Sequence, residues 1–211
     1  MHKEVQDGDA REVRRALIAA ARDADIRFSV TPEEEARIQA LASDIEPLNP
    51  NPDGSFDKIA GRWRLLYSSF RLERQATLRR LSFAKLPDIE VTVTGIYQEI
   101  AADGSQYNNL VEFHLGDLQG VQETHGSFTT APPHRLNISF SRASVYAADA
   151  AMQESDFRAR LGVDSGARLS ADVSFDGWSD ITYVDDSLRL MRGNLGNLYV
   201  IVRDDGPIRS F

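Results

Sequence analysis

The sequence contains no cysteine. That absence excludes disulfides, thiolate zinc sites, iron–sulfur clusters and cysteine nucleophiles together. It leaves the redox compartment open. Histidine is scarce too: His2, His114, His125 and His134 are the only four. None forms a HExxH or another close pair at metal-ligand spacing, so no metal and no cofactor is expected. No Gly-x-Ser-x-Gly elbow occurs, and Ser68-Ser69 has no nearby histidine to activate it. With no assembled catalytic set, an enzyme is not expected. Long apolar runs are also missing. Stretches such as Ala16 to Ala21 fall far short of the roughly 20 residues a membrane-spanning helix needs. Positive charge is in deficit, with 24 basic residues against 32 acidic ones and a net charge of −8. Phosphate neutralisation supplies most of nucleic-acid affinity, so no nucleic-acid partner is expected. The opening Met1-His2-Lys3-Glu4 lacks the layout of a secretory signal. The chain therefore reads as cytoplasmic, or as attached to a membrane or lipid surface without crossing it.

What is present begins with helices. Val13, Leu17, Ala20 and Ala24 recur at three-to-four spacing on one helical face. A second helix has a sharp start: Thr31 caps it, Pro32 fits its first position and Glu34 completes a capping box. Ile38, Leu41, Ala42 and Ile45 form its apolar face. Three prolines and a glycine between Glu46 and Gly54 then end the helical pattern. Residues 1–54 read as an N-terminal helical segment and residues 55–211 as a β-structure, the two forming a single unit.

After residue 60 the period changes to two. Trp63, Leu65 and Tyr67 alternate with Arg62, Arg64 and Leu66. The pattern repeats around Ile89–Val93, Val111–Leu115, Leu136–Phe140, Leu169–Phe175, Leu188–Leu190 and Leu198–Arg203. About eight or nine short strands, many separated by Gly, Asp or Asn, predict an antiparallel sandwich or barrel. Two features favour the barrel. Gly61-Arg62-Trp63 opens the first strand and Arg203 ends the last, and in a closed barrel those strands are neighbours. Arg203 over the Trp63 ring would then close one end through a cation–π contact. The same two residues also fit a packed core tryptophan and a solvated strand end. If Arg203 points inward, Leu198, Val200 and Val202 point outward, so the last strand needs cover on both sides, which the N-terminal helices can give.

Two segments interrupt the pattern. Residues 147–164 carry Met152, Phe157 and Leu161 and read as a short helix or lid. Residues 70–87 hold Arg71, Arg74, Arg79, Arg80 and Lys85 against the single acid Glu73. Leu72, Leu78, Leu81 and Phe83 are interleaved with these charges. The segment fits a mobile solvated loop, a lid over a barrel mouth or a contact with an anionic membrane surface. Strand phase alone makes Trp63, Tyr67, Phe113, Phe140 and Phe175 the candidates for an internal pocket. Arg192-Gly-Asn-Leu-Gly-Asn197 lacks the helix and lysine of a phosphate loop and reads as a hairpin turn. Asp185-Asp186 reads as a solvated turn.

The run from Tyr183 to Arg203, with its Asp185, Arg189 and Arg192-Gly193-Asn-x-Gly turn, resembles the closing motif of the plastid lipid-associated protein (PAP)/fibrillin family, the plastoglobulins. Gly61-Arg-Trp-Arg-Leu-Leu-Tyr-Ser-Ser69 is similar to its opening strand. Gly95-Ile-Tyr-Gln98 and Asn109-Leu-Val111 resemble its middle strands. The resemblance implies a lipocalin-like β-barrel with helices packed outside. It implies a non-catalytic carrier for an apolar small molecule of lipid, prenylquinone or carotenoid type. It also implies association with thylakoids or lipid bodies in a photosynthetic, for example cyanobacterial, organism. A structural coat or adaptor without an internal ligand is the other expectation. Asp185 corresponds to the motif's acid, a candidate to orient Arg189 or Arg192. Oligomeric state is left open.

Overall fold

The computed structural model describes residues 2–52, 56–70 and 73–210. Arg71 and Leu72 lie outside the described residues. Helices α1 (His2–Arg27) and α2 (Pro32–Ile45) come first. The α2 start is the capping box read from the sequence. Thr31 Oγ1 accepts from the Glu34 amide at 3.3 Å, and Glu34 Oε2 accepts from the Thr31 amide at 2.8 Å.

The strands follow as β1 (Gly61–Ser68), β2 (Gln75–Thr77), then α3 (Leu78–Leu81), β3 (Glu90–Ile100), β4 (Tyr107–Leu115), β5 (Leu118–Ala131) and β6 (Arg135–Ala147). After α4 (Glu154–Leu161) come β7 (Ser170–Val184), β8 (Leu188–Gly193) and β9 (Leu198–Arg203). All pairings are antiparallel, and the order is β1-β9-β8-β7-β6-β5-β4-β3-β2. Because β1 also pairs with β3 through Gly61↔Ile100 to Arg64↔Tyr97, eight strands close a ring and β2 hangs on β3 outside it. Sequence neighbours are mostly spatial neighbours, the up-and-down order of lipocalin-like barrels.

Burial explains why both faces of the last strands are apolar. Leu188, Leu190, Leu198, Val200 and Val202 pack with Leu17, Ala21, Ile38 and Ile45 of the two helices. Their alternates Met191 and Ile201 face the other way, with Trp63, Leu65, Ile100, Tyr107, Leu136 and Ile138. The helices cover the outer face and the ring encloses the inner one.

Three elements differ from the sequence pattern. Strand β5 shows no apolar alternation, since Gln119, Gln122, Glu123, Thr124 and Ser127 are polar. Its neighbours β4 and β6 impose the extended backbone through pairing along both edges. Tyr67 leaves the face of Trp63 and Leu65. The β1–β9 register shifts between Leu65 and Tyr67, and Tyr67 joins Leu66 in the helix-side cluster. Asp185 is not a freely solvated turn residue, as described below.

The segment 73–89 is folded. β2 pairs with β3 through three residue pairs. Thr77 Oγ1 caps α3 by accepting from the Arg80 amide at 3.1 Å. Leu78 and Leu86 are buried with Phe113 of β4 and with Phe157 and Leu161 of α4. The Phe83 ring lies 4.4 Å from that of Phe175 on β7. β3 and β7 are four strands apart either way round the eight-strand ring, so this segment crosses the opening and caps it.

Candidate ligand site

The site is built from the enclosed face of the ring, with a closed end and a capped end. The closed end lies where β1 begins and β9 finishes. Trp63 pairs with Arg203 across these strands and is fully buried. Its Nε1 donates to the Ile59 carbonyl at 2.7 Å. The Arg203 guanidinium carbon stands 4.0 Å from the centroid of the indole. Arg203 also donates to the carbonyls of Ala60 and, at 2.8 Å, of Lys58. Burial lowers the pKa of Arg203. Gly61 makes this arrangement possible, because a Cβ there would lie 2.8 Å from Arg203 Nη1.

A second cation lies on the enclosed face. Leu188 and Leu190 point to the helices, so alternation turns Arg189 and Met191 inward. Arg189 is fully buried. Its Nη2 donates to Gln98 Oε1 at 2.6 Å, and its guanidinium carbon is 4.6 Å from the Trp63 ring centroid. Burial pulls its pKa down to about 10. Burial likewise pushes neighbouring Tyr107 up to about 12, opposed by the Arg189 charge.

Aromatic rings connect this end to the cap. Tyr107 meets Phe140 at 6.4 Å, Phe140 stacks on Phe175 at 4.8 Å, and Phe175 meets Phe83 of the cap at 4.4 Å. Of the pocket candidates, Phe140 and Phe175 belong to this series, and Trp63 lies at the closed end. Phe113 sits under the cap. Tyr67 instead lines a cavity of about 250 Å³ outside the ring, with Ala24, Phe28, Val30, Leu66 and Glu73. Gln98, Tyr107 and Phe83 are the additions. Strand phase alone could not select them, since it does not say which polar residues the ring encloses and Phe83 lies in no strand.

The remaining motif residues bind the helices to the ring. Asp185 accepts from Arg14 Nε of α1 at 2.7 Å, from Tyr183 Oη at 3.0 Å and from the Ser187 and Leu188 amides. It orients neither Arg189 nor Arg192. Arg192 instead pairs with Glu46 at 2.9 Å and donates to Gln39 of α2 at 3.0 Å. Gly193 lies under Tyr199, where a Cβ would meet the ring at 3.1 Å.

The basic residues divide. Arg74 stacks over Phe28 at 4.9 Å, and Arg80 is ion-paired with Glu73. Arg79 and Lys85 are exposed. So are Phe70 and Phe83, at 56% and 52%, and Leu195 of the β8–β9 turn at 73%. The Ser69 amide donates to the Leu198 carbonyl at 3.1 Å, which places Phe70 beside that turn, at the capped end. Among the described residues no group of three His, Asp or Glu could hold a metal ion. No helix among them is long and apolar enough to cross a membrane.

The fold is thus a closed antiparallel ring with a largely apolar enclosed face and helices packed outside. The chain belongs to the PAP/fibrillin family, whose profile, PAP_fibrillin, matches residues 11–202. It is similar to plastid-lipid-associated protein 6, chloroplastic, of Arabidopsis thaliana, with 28% identity covering 79% of this chain and 61% of that protein. It is also similar to the chromoplast-specific carotenoid-associated protein C1, chromoplastic, of an Oncidium hybrid cultivar, with 24% identity over 93% of this chain and 70% of that protein. A light-induced protein, chloroplastic, of Solanum tuberosum is 25% identical over 86% of this chain and 64% of its own length. The chain thus spans under two thirds of the first and third of these relatives. No solved structure matches.

Proposed function

We propose that this chain is a non-catalytic carrier of an apolar molecule of lipid, prenylquinone or carotenoid type, held on the enclosed face of the ring. The observation that carries this reading is the ring itself, closed through β1–β3, apolar inside and crossed at one opening by a separate cap. The cap joins the ring through a three-residue strand and through Leu78 and Leu86, buried against β4 and α4. Names of similar proteins, which speak of plastid lipid and carotenoid association, support the same ligand class. A ligand burying about 400 Å² of apolar surface would gain roughly 10 kcal/mol before the costs of association, enough for binding near micromolar.

The test is extraction of purified protein with organic solvent followed by mass spectrometry, with titrations of quinone, carotenoid and fatty acid against Trp63 fluorescence. A Trp178→Phe background removes the second tryptophan. Co-purifying lipid or quenching of Trp63 is expected. Protein that carries no lipid and shows no change with any titrant would overturn the carrier reading. A coat on a lipid surface is the second reading, favoured by the exposure of Phe70, Phe83, Leu195, Arg79 and Lys85 at the capped end. It requires surface binding without an internal ligand.

A further inference from the structure

Arg189 is buried and only partly compensated among the described residues. Of its five N–H groups, one reaches Gln98, while Nε and Nη1 have no hydrogen-bond partner among the described residues. The ionisable groups that act on it are Tyr107, a neutral phenol with its pKa at about 12, and Arg203, and neither is a carboxylate. Arg203 shares the Trp63 ring with it, so two cations flank one indole. A buried ion with neither counter-charge nor filled donors is strongly unfavourable. An apolar side chain of similar length would pack there at less cost.

We propose that the enclosed face receives a long-chain carboxylic acid, its carboxylate held by Arg189 near the closed end and its chain directed toward the cap. This rests on the carrier reading above. The placement follows from strand direction. Arg189 is the second residue of β8, and Gln98 and Arg203 both pair with Trp63; all of these belong to the end opposite the cap. From there Tyr107, Phe140, Phe175 and Phe83 form a run of adjoining rings to the cap, with Leu65, Met191 and Ile201 as aliphatic wall. An acyl chain suits that wall. A carboxylate suits its end, since it supplies both the missing acceptors and the missing charge. An uncharged carbonyl would accept a hydrogen bond and leave the charge uncompensated.

Oleic acid, its methyl ester and the corresponding alcohol, titrated separately into the full chain by calorimetry at neutral pH, test this. The acid is expected to bind about tenfold to a hundredfold more tightly than the ester or alcohol. In Arg189→Met that preference should vanish while ester affinity persists; in Arg189→Lys part of it should remain. Acid and ester binding equally well would overturn the role of Arg189 and leave the carrier reading standing. Binding of none of the three would overturn both. If Arg189→Met fails to fold, the wild-type comparison of acid with ester still decides.

Discussion

Position 61 requires glycine for two independent reasons. Its φ of +104° is one that side-chain-bearing residues avoid, and a Cβ would lie 2.8 Å from Arg203 Nη1. Gly61→Ala is therefore expected to cost about 2 kcal/mol, seen as a lower urea midpoint at unchanged slope. An unchanged midpoint would mean that neither the backbone conformation nor the Arg203 contact holds position 61 to glycine. Arg189 predicts the opposite sign. Its pKa falls from 12.5 to about 10 in the fold, so between those values the unfolded chain holds a proton that the folded one has released. Stability rises with pH through that window. Below it the full cost of the buried cation remains, about 3 kcal/mol. Arg189→Met should accordingly raise the thermal midpoint of ligand-free protein at neutral pH, measured by calorimetry; a fall would show that the cation is structurally required. The Trp63–Arg203 neighbourhood was legible in the sequence because closure brings the chain's first and last strands together. The burial of Arg189 was not. A charged residue alternating with leucines normally marks the solvent face of a strand, and only the helices over Leu188 and Leu190 reverse that meaning.

Among the elements, the β7–β8 turn depends on α1. Burial raises the pKa of Asp185, but Arg14 and the Ser187 and Leu188 amides outweigh it and leave the carboxyl below its ordinary 3.8. A depressed acid contributes stability that is present above its unfolded pKa and is lost as pH falls through the folded one. Asp185→Asn should cost about 1–2 kcal/mol at neutral pH. The gap from wild type should narrow below about pH 4, as followed by denaturant titration across pH. A gap that stays constant with pH would assign the effect to shape rather than charge. The α2 capping box was legible because its residues lie within four positions of one another. Asp185 was misread because its partner stands 171 residues away. β5 was illegible for a related reason, since its polar run is held extended by the strands on either side. The cap was legible only as composition. Its charges suggested a loop, whereas Leu78 and Leu86, buried against β4 and α4, anchor it.

For the whole molecule, a net charge of −8 opposes binding to an anionic surface, so any such binding depends on orientation. The capped end offers that orientation. Among the described residues Arg79 and Lys85 are exposed there and make no ion pair, unlike Arg80, and Phe70, Phe83 and Leu195 are exposed at the same end. Each basic residue near an anionic membrane contributes about 1 kcal/mol, within a Debye length of roughly 8–10 Å. The rings contribute by burial, which salt does not screen. The two contributions therefore separate experimentally. Vesicle flotation should show binding to anionic membranes that weakens with added salt. Arg79→Gln with Lys85→Gln should remove the salt-dependent part, about tenfold or more in partitioning. Phe70→Ser with Phe83→Ser should weaken what remains at high salt. If all four substitutions together leave flotation unchanged, the capped end is not the lipid-facing surface, and the carrier must exchange its ligand in solution.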